Sequence, residues 1–289
     1  MSKPSILITG ANGQLGQEFQ ALSDRFPQYE FYFTSRDSLS LEQEETIVAY
    51  FQKHSIDYCV NCAAYTAVDK AEADYDKAYQ VNAAAVKVLA EQCEQYHTKL
   101  IHISTDYVFN GQSPHPYKET DSTDPVNKYG ASKLAGEQFC VQENPSSIII
   151  RTAWVYSEFG NNFVKTMLRL MKERESINVV NDQVGAPTYA ADLANSIMEI
   201  IAGGKWEAGI YHYSNLGKIS WYDFAVAIKE LSGLTCAVNP IPSSSYPTPA
   251  KRPSFSLLDT SKIRNQFGIQ IPEWKASLQQ CLNQLKAKA

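Results

Sequence analysis

The feature that most constrains this chain lies within its first sixteen residues. Ile6, Leu7 and Ile8 form a short apolar run of the kind buried on both faces of a parallel sheet, and Gly10, Gly13 and Gly16 follow at three-residue spacing. Leu15, Phe19 and Leu22 then recur at helical spacing. Strand, glycine turn and helix make the first half of a βαβ unit, where such a turn has a physical use. Glycine lets the backbone bend tightly and approach a phosphate, and the helix start offers free N–H groups and a positive dipole end. A strand-to-helix turn without a ligand can show the same spacing. Its place directly after the first strand points instead to a dinucleotide pyrophosphate seat over Gly10, Ala11, Asn12, Gly13, Gln14, Leu15 and Gly16.

The alternation of strand and helix continues. Residues 31–33 read as a second strand, ending at Ser35, Arg36 and Asp37, where such a fold meets the adenosine ribose. Arg36 can hold the extra phosphate of NADP, Asp37 keeps NAD open, and a solvated loop arginine is the plain alternative. A helix over 42–53 and a strand over 58–61 precede a loop of small residues containing Ala63, Ala64, Tyr65 and Thr66, which lets a cofactor approach the backbone. A helical stretch over 69–95 carries Asn82, which is either a positioned amide or a surface one. The strand at 100–103 ends in Ser104, Thr105 and Asp106, and a later helix carries Tyr129 and Lys133 near its start, before a strand at 148–150. This order predicts a Rossmann-type doubly wound parallel sheet over 1–155.

Beyond Arg151 the rhythm loosens. Helices are expected over 162–174, 189–202, 221–231 and 273–286, with strands over 177–180 and 209–213. Five prolines within 239–253 predict an extended loop there. Residues 156–289 therefore read as a smaller α/β substrate domain, some segments of which return to the main sheet.

Composition narrows the function. A net charge of -5 over 289 residues argues against nucleic-acid binding. No apolar run approaches a membrane span and the N-terminus lacks a signal-peptide pattern, so a cytoplasmic protein is expected. Cys59 and Cys62 form a C-x-x-C, a pattern also seen in redox pairs and zinc half-sites. They sit on a strand with no second pair at metal spacing, so free buried thiols are the better reading for all six cysteines.

Tyr129 and Lys133 stand one helical turn apart and on one face. A tyrosine with its usual pKa of about 10 is a poor acid–base catalyst at neutral pH, and a neighbouring ammonium favours its ionised form. Many helices hold such a pair by chance. Joined to the glycine start and the Ser104-Thr105-Asp106 strand end, it becomes a catalytic constellation. Arg252, in the proline segment, is a candidate for a substrate diphosphate because a guanidinium fork suits phosphate.

These motifs resemble the extended short-chain dehydrogenase/reductase superfamily. The strings at 61–72, 104–109, 151–156, 181–188 and 246–253 are similar to those of the dTDP-4-dehydrorhamnose reductases, and the resemblance spans nearly the whole chain. It implies reduction, with NADPH or NADH, of the C4 ketone of a nucleotide-linked sugar in the supply of dTDP-L-rhamnose to surface polysaccharide. Tyr129 would donate the proton, Lys133 would lower the tyrosine's pKa and bind the nicotinamide ribose, and Thr105 would hydrogen-bond the ketone oxygen. Asp106 and Trp154 match positions that contact the sugar.

Two departures stand out. Relatives often carry an aspartate that contacts adenine where this chain has Ser40, followed by Leu41; serine can still hydrogen-bond. Some members form a dimer bridged by Mg2+ on glutamates; Glu18 matches one such position and Ala191 stands at another, so a monomer or a homodimer both remain open. Other nucleotide 4-keto sugar reductases, epimerases or dehydratases of the superfamily are alternatives, as is a non-catalytic subunit that regulates methionine adenosyltransferase. Intact Thr105, Tyr129 and Lys133 argue against the last.

Overall fold

In the computed structural model, which describes residues 3–288, the first unit forms as the glycine pattern requires. Strand β1 (Ser5–Thr9) leads through the Gly10 turn into α1 (Gln14–Leu22). Then follow β2 (Glu30–Phe33), α2 (Glu44–Lys53), β3 (Tyr58–Asn61), α3 (Val68–Ala71) and α4 (Tyr75–Tyr79). A π-turn over Gln80–Ala84 joins α4 to α5 (Ala85–Gln95), and β4 (Lys99–Thr105), α6 (Lys128–Glu143) and β5 (Ile148–Thr152) complete this half. The second half contains β6 (Val155–Tyr156), α7 (Phe163–Glu173), β7 (Ser176–Val180), β8 (Val184–Gly185), β9 (Thr188–Tyr189) and α8 (Ala190–Ala202). After these come β10 (Gly209–Tyr213), β11 (Ile219–Ser220), α9 (Trp221–Ser232), β12 (Ala237–Ile241), α10 (Ser261–Phe267) and α11 (Trp274–Ala287).

Six strands form one parallel sheet in the order β10-β5-β4-β3-β1-β2. The order reverses at β1, and a crevice at the carboxyl ends of the strands is where such sheets bind ligands. Ile6, Leu7 and Ile8 are completely buried because both faces are covered. Ile6 and Ile8 pack with α1 and α8, whereas Leu7 packs with α2 and α5. Burying each such side chain is worth about 1.5–3 kcal/mol, so β1 anchors both layers. A separate core of α7, α9, α11 and β7 supports the second half, centred on Val164, Phe224, Ile228 and Leu278.

Two expectations change. The stretch expected as one helix over 69–95 is broken after Ala71 and again by the π-turn, which carries Asn82 into the interior at 1% exposure. The proline segment expected as a loop begins as β12, paired in parallel with β7. Pro240 is tolerated because this two-stranded sheet leaves β12 with an open edge.

Candidate active site

A cavity of about 570 Å³ runs over the carboxyl ends of the central strands, from the Gly10 turn to Tyr129. At one end Gly10, Asn12, Gly13, Gln14 and Leu15 face it. Gly10 has φ +65°, and an added Cβ would lie 2.7 Å from the Ala63 backbone, so the turn is closed to larger residues. Gly16 does not reach the cavity. A Cβ there would meet Gly10 O at 2.5 Å, so its part is to seat α1 against the turn. Ala11 is likewise buried, with its N–H donating to Thr34 O. Helix α1 starts after its N-cap Gly13 with no side-chain cap, so its first N–H groups lack side-chain partners where Gly13, Gln14 and Leu15 line the cavity. This uncapped helix start fits the pyrophosphate of a dinucleotide.

Beyond β2, Ser35, Arg36 and Leu41 also line the cavity. Arg36 is 73% exposed and 3.4 Å from Glu42, a lining residue that the sequence reading missed. Ser40 does not line the cavity; its carbonyl accepts from the Thr46 hydroxyl, so the position expected at adenine serves the start of α2 instead. Ala63, Ala64 and Thr66 reach the cavity and Tyr65 does not. Asn82 explains how that loop is held: its Oδ1 accepts the Tyr65 N–H at 2.8 Å and its Nδ2 donates to Tyr65 O at 3.0 Å. The amide is thus a positioning group rather than a surface one.

At the other end Thr105, Asp106, Tyr129, Lys133 and Trp154 converge. Asn127 caps α6 by accepting the Gly130 N–H at 2.8 Å, a contact worth about 1 kcal/mol, and so fixes where the helix presents Tyr129 and Lys133. Burial pushes Tyr129 up to about 12, while the Thr105 hydroxyl works in the opposite direction. Lys133 is 2% exposed, and burial brings it down to about 8. Its ammonium donates to Ile103 O at 2.7 Å and faces His102, so the expected pairing with the tyrosine is not made here and burial outweighs it. Asp106 is pushed up to about 6 by burial, against the Ser256 and Thr105 hydroxyls, which work in the opposite direction; its Oδ1 accepts the Thr105 hydroxyl at 3.0 Å, and its Oδ2 is buried without a bonded partner. An orphaned buried acceptor beside a cavity suits a ligand hydroxyl. Below them Ser104 donates to Glu137, whose carboxylate takes Arg151 in two bonds of 2.9 and 2.6 Å.

Trp154 holds φ +49°, a left-handed backbone rare for a bulky residue. Its indole stacks on Trp221 at 3.7 Å, and Gly185 leaves room on another side, since a Cβ there would lie 3.0 Å from the ring. Arg252 lies elsewhere than expected: it is not on the cavity wall, and Asp69 fills its fork with bonds of 3.0 and 2.8 Å. Gly160, Asn161 and Leu193, also missed in the sequence, enter the wall from the second half.

Glu18 is 3% exposed, accepts the Ser157 hydroxyl at 2.6 Å, and is driven up to about 8 by burial. Among the described residues no three His, Cys, Asp or Glu side chains group to hold a metal, and all six cysteines are free thiols. No helix among them is long and apolar enough to cross a membrane.

The parallel sheet, the glycine turn and the Thr105–Tyr129–Lys133 cluster define a Rossmann-fold protein of the short-chain dehydrogenase/reductase type. The family model described as the RmlD substrate binding domain matches residues 4–287, and the chain belongs to that family, together with the dTDP-4-dehydrorhamnose reductases. It is 42% identical to the dTDP-4-dehydrorhamnose reductase of Aggregatibacter actinomycetemcomitans, covering 94% of this chain and 96% of that protein. It is 38% identical to the spore coat polysaccharide biosynthesis protein SpsK of Bacillus subtilis, covering 96% and 97%. The crystal structure of dTDP-4-dehydrorhamnose reductase from Bacillus anthracis in complex with NADP superposes with a TM-score of 0.93 at 40% identity, covering 98% and 99%.

Proposed function

We propose that this chain is an NAD(P)H-dependent reductase that converts dTDP-4-dehydro-L-rhamnose to dTDP-L-rhamnose for polysaccharide synthesis. The observation that carries it is one cavity with an uncapped helix start at one end and Thr105, Asp106, Tyr129 and Lys133 at the other. When bound along it, a reduced nicotinamide would supply the hydride for the ketone carbon. The backbone of residues 10–15 holds the pyrophosphate, and Ser35 and Arg36 face the adenosine end. Thr105, whose hydroxyl donates to Asp106 Oδ1 at 3.0 Å, gives that proton to the ketone oxygen instead when substrate binds and stabilises the charge that develops there. Tyr129 passes its phenolic proton to that oxygen, and the high pKa that burial gives it keeps the proton in place until then. Lys133 serves the ribose and the tyrosine from its place against Ile103 O on the cavity wall, while Asp106 Oδ2 accepts a sugar hydroxyl and Trp154 walls the sugar.

In this reading residues 1–155 bind the dinucleotide and 156–289 mainly the sugar nucleotide. The chain works in the cytoplasm as a monomer or homodimer, and the engagement of Glu18 with the Ser157 hydroxyl inside the chain speaks against a metal-bridged dimer. The test is loss of reduced-nicotinamide absorbance with dTDP-4-dehydro-L-rhamnose made in situ. Rapid oxidation supports the reading. Silence from folded protein with both NADPH and NADH would overturn it in favour of another keto sugar or a non-catalytic role.

A further inference from the structure

Thr9, Asn61, His102 and Lys133 form an unbroken line of polar side chains beneath the cavity, and the proposed reaction uses only the last. They come from β1, β3, β4 and α6, and none is more than 2% exposed. Polar groups buried this deeply cost stability unless each is satisfied, so their hydrogen bonds can be counted. The Thr9 hydroxyl takes the Ala63 N–H at 3.4 Å and gives its own proton to Asn61 Oδ1 at 2.6 Å. The Asn61 amide nitrogen is left to donate to His102 Nδ1 at 3.0 Å, so Nδ1 carries a lone pair. Burial and the nearby Lys133 charge hold the imidazole well below its usual pKa, hence neutral, and its one proton then sits on Nε2. Nε2 faces Lys133 Nζ at 3.4 Å. An ammonium has no lone pair to accept that N–H, whereas the neutral amine has one.

We propose that His102, oriented by Asn61 and Thr9, is a positioning residue that presents an N–H to Lys133 and loosens the lysine's hold on its third proton. The inference rests on Tyr129 being the proton donor. When the Tyr129 O–H bond breaks and the sugar O–H bond forms, a phenolate remains. Water in the cavity, which both residues line, then carries a proton from Lys133 to the phenolate, so that the Lys133 N–H bond breaks and the tyrosine O–H bond re-forms, and the amine lone pair accepts the His102 Nε2–H. Water in the open cavity returns a proton to Nζ. The other ionisable groups facing Lys133 are Glu137 and Cys140 on its own helix, both of which favour the ammonium, and Glu137 is already paired with Arg151 of β5. From β4 the facing ionisable group is His102; Thr9 and Asn61, from β1 and β3, carry no charge.

Nitrogen-15 NMR of the whole wild-type chain tests this without turnover, with Asn61→Asp shifting and so assigning the His102 signals. The expected result is a neutral Nε2–H tautomer between about pH 6 and pH 9. An Nδ1–H tautomer, or titration near the ordinary histidine value of about 6.5, overturns the proposal. In the assay, His102→Gln offers an amide oxygen to Nζ and Asn61→Asp demands the proton on Nδ1. Both should move the basic limb of the pH–kcat profile up by about half a unit or more. An unmoved limb in both folded variants also overturns it. A wild-type chain that shows the Nε2–H tautomer yet is silent toward dTDP-4-dehydro-L-rhamnose sinks the substrate reading and not the His102 one.

Discussion

At the Gly10 end of the cavity the chain presents a glycine turn and an uncapped helix start, whereas at the Tyr129 end it presents buried, ionisable side chains. The first end binds by shape and by N–H groups that no side chain caps, so its demands are steric. The second end carries Tyr129, Lys133 and Asp106 with their proton affinities displaced by burial, so its demands are electrostatic. Changes at the two ends should therefore fail differently, one in binding and fold, the other in turnover.

The sharpest break of that contrast is Tyr129→Phe. It removes one oxygen from a site walled on several sides and leaves the glycine turn untouched. Turnover should fall about a hundredfold or more with dinucleotide Kd changed less than about twofold, as loss of a general acid predicts. Stopped-flow hydride transfer and fluorescence titration separate the two. Near-normal turnover would remove the tyrosine as proton donor.

Gly10→Val is the reverse case. Its Cβ would enter the Ala63 backbone, and a branched residue at φ +65° is strained by about 1–3 kcal/mol. Dinucleotide affinity should fall about tenfold or more and the melting temperature should drop by several degrees. If affinity falls without thermal loss, the turn is held by the ligand rather than by packing.

These two residues were legible in the sequence for different reasons. The glycine turn announces itself because only glycine serves there, and Tyr129 and Lys133 because helical spacing fixes their common face. Asn82 was ambiguous: an amide in a helix reads the same on the surface as inside, and the π-turn that buries it has no local signal. Ala11, Gly16 and Tyr65 sit within the right motifs but turn away from the cavity, since neighbouring residues in a turn point in different directions. Arg252 was read from its chemistry alone, and Asp69, 183 residues away in sequence, supplies the partner that spacing could not reveal. The left-handed backbone of Trp154 and its stacking on Trp221, far away along the chain, likewise leave no trace in the local sequence.

A smaller effect sharpens the electrostatic end. Ionised Asp106 is the stronger acceptor for a sugar hydroxyl at Oδ2, and burial raises its pKa to about 6. The carboxylate is lost as pH falls through that value, so kcat/KM should decline below it towards a lower plateau. Asp106→Asn should flatten that acid limb at a lower plateau. A limb that persists in the variant belongs to another group.

The smallest effect is expected at Arg36, and it tests whether the adenosine end is as purely steric as the glycine turn beside it. Arg36 is largely exposed and its contact with Glu42 is long, and such surface pairs contribute only about 0–1 kcal/mol, so the guanidinium is free to turn to a 2′-phosphate. A charge-assisted hydrogen bond to phosphate is worth about 1.5–3 kcal/mol, less solvent screening. Arg36→Ala should then lower kcat/KM for NADPH relative to NADH by about five- to tenfold, with NADH itself little changed, and the effect should shrink as salt is raised. Titrating the protein with 2′,5′-ADP and 5′-AMP gives the same ratio without turnover. Equal losses for both ligands would mean that Arg36 only shapes the wall, and the adenosine end would then belong with the glycine turn.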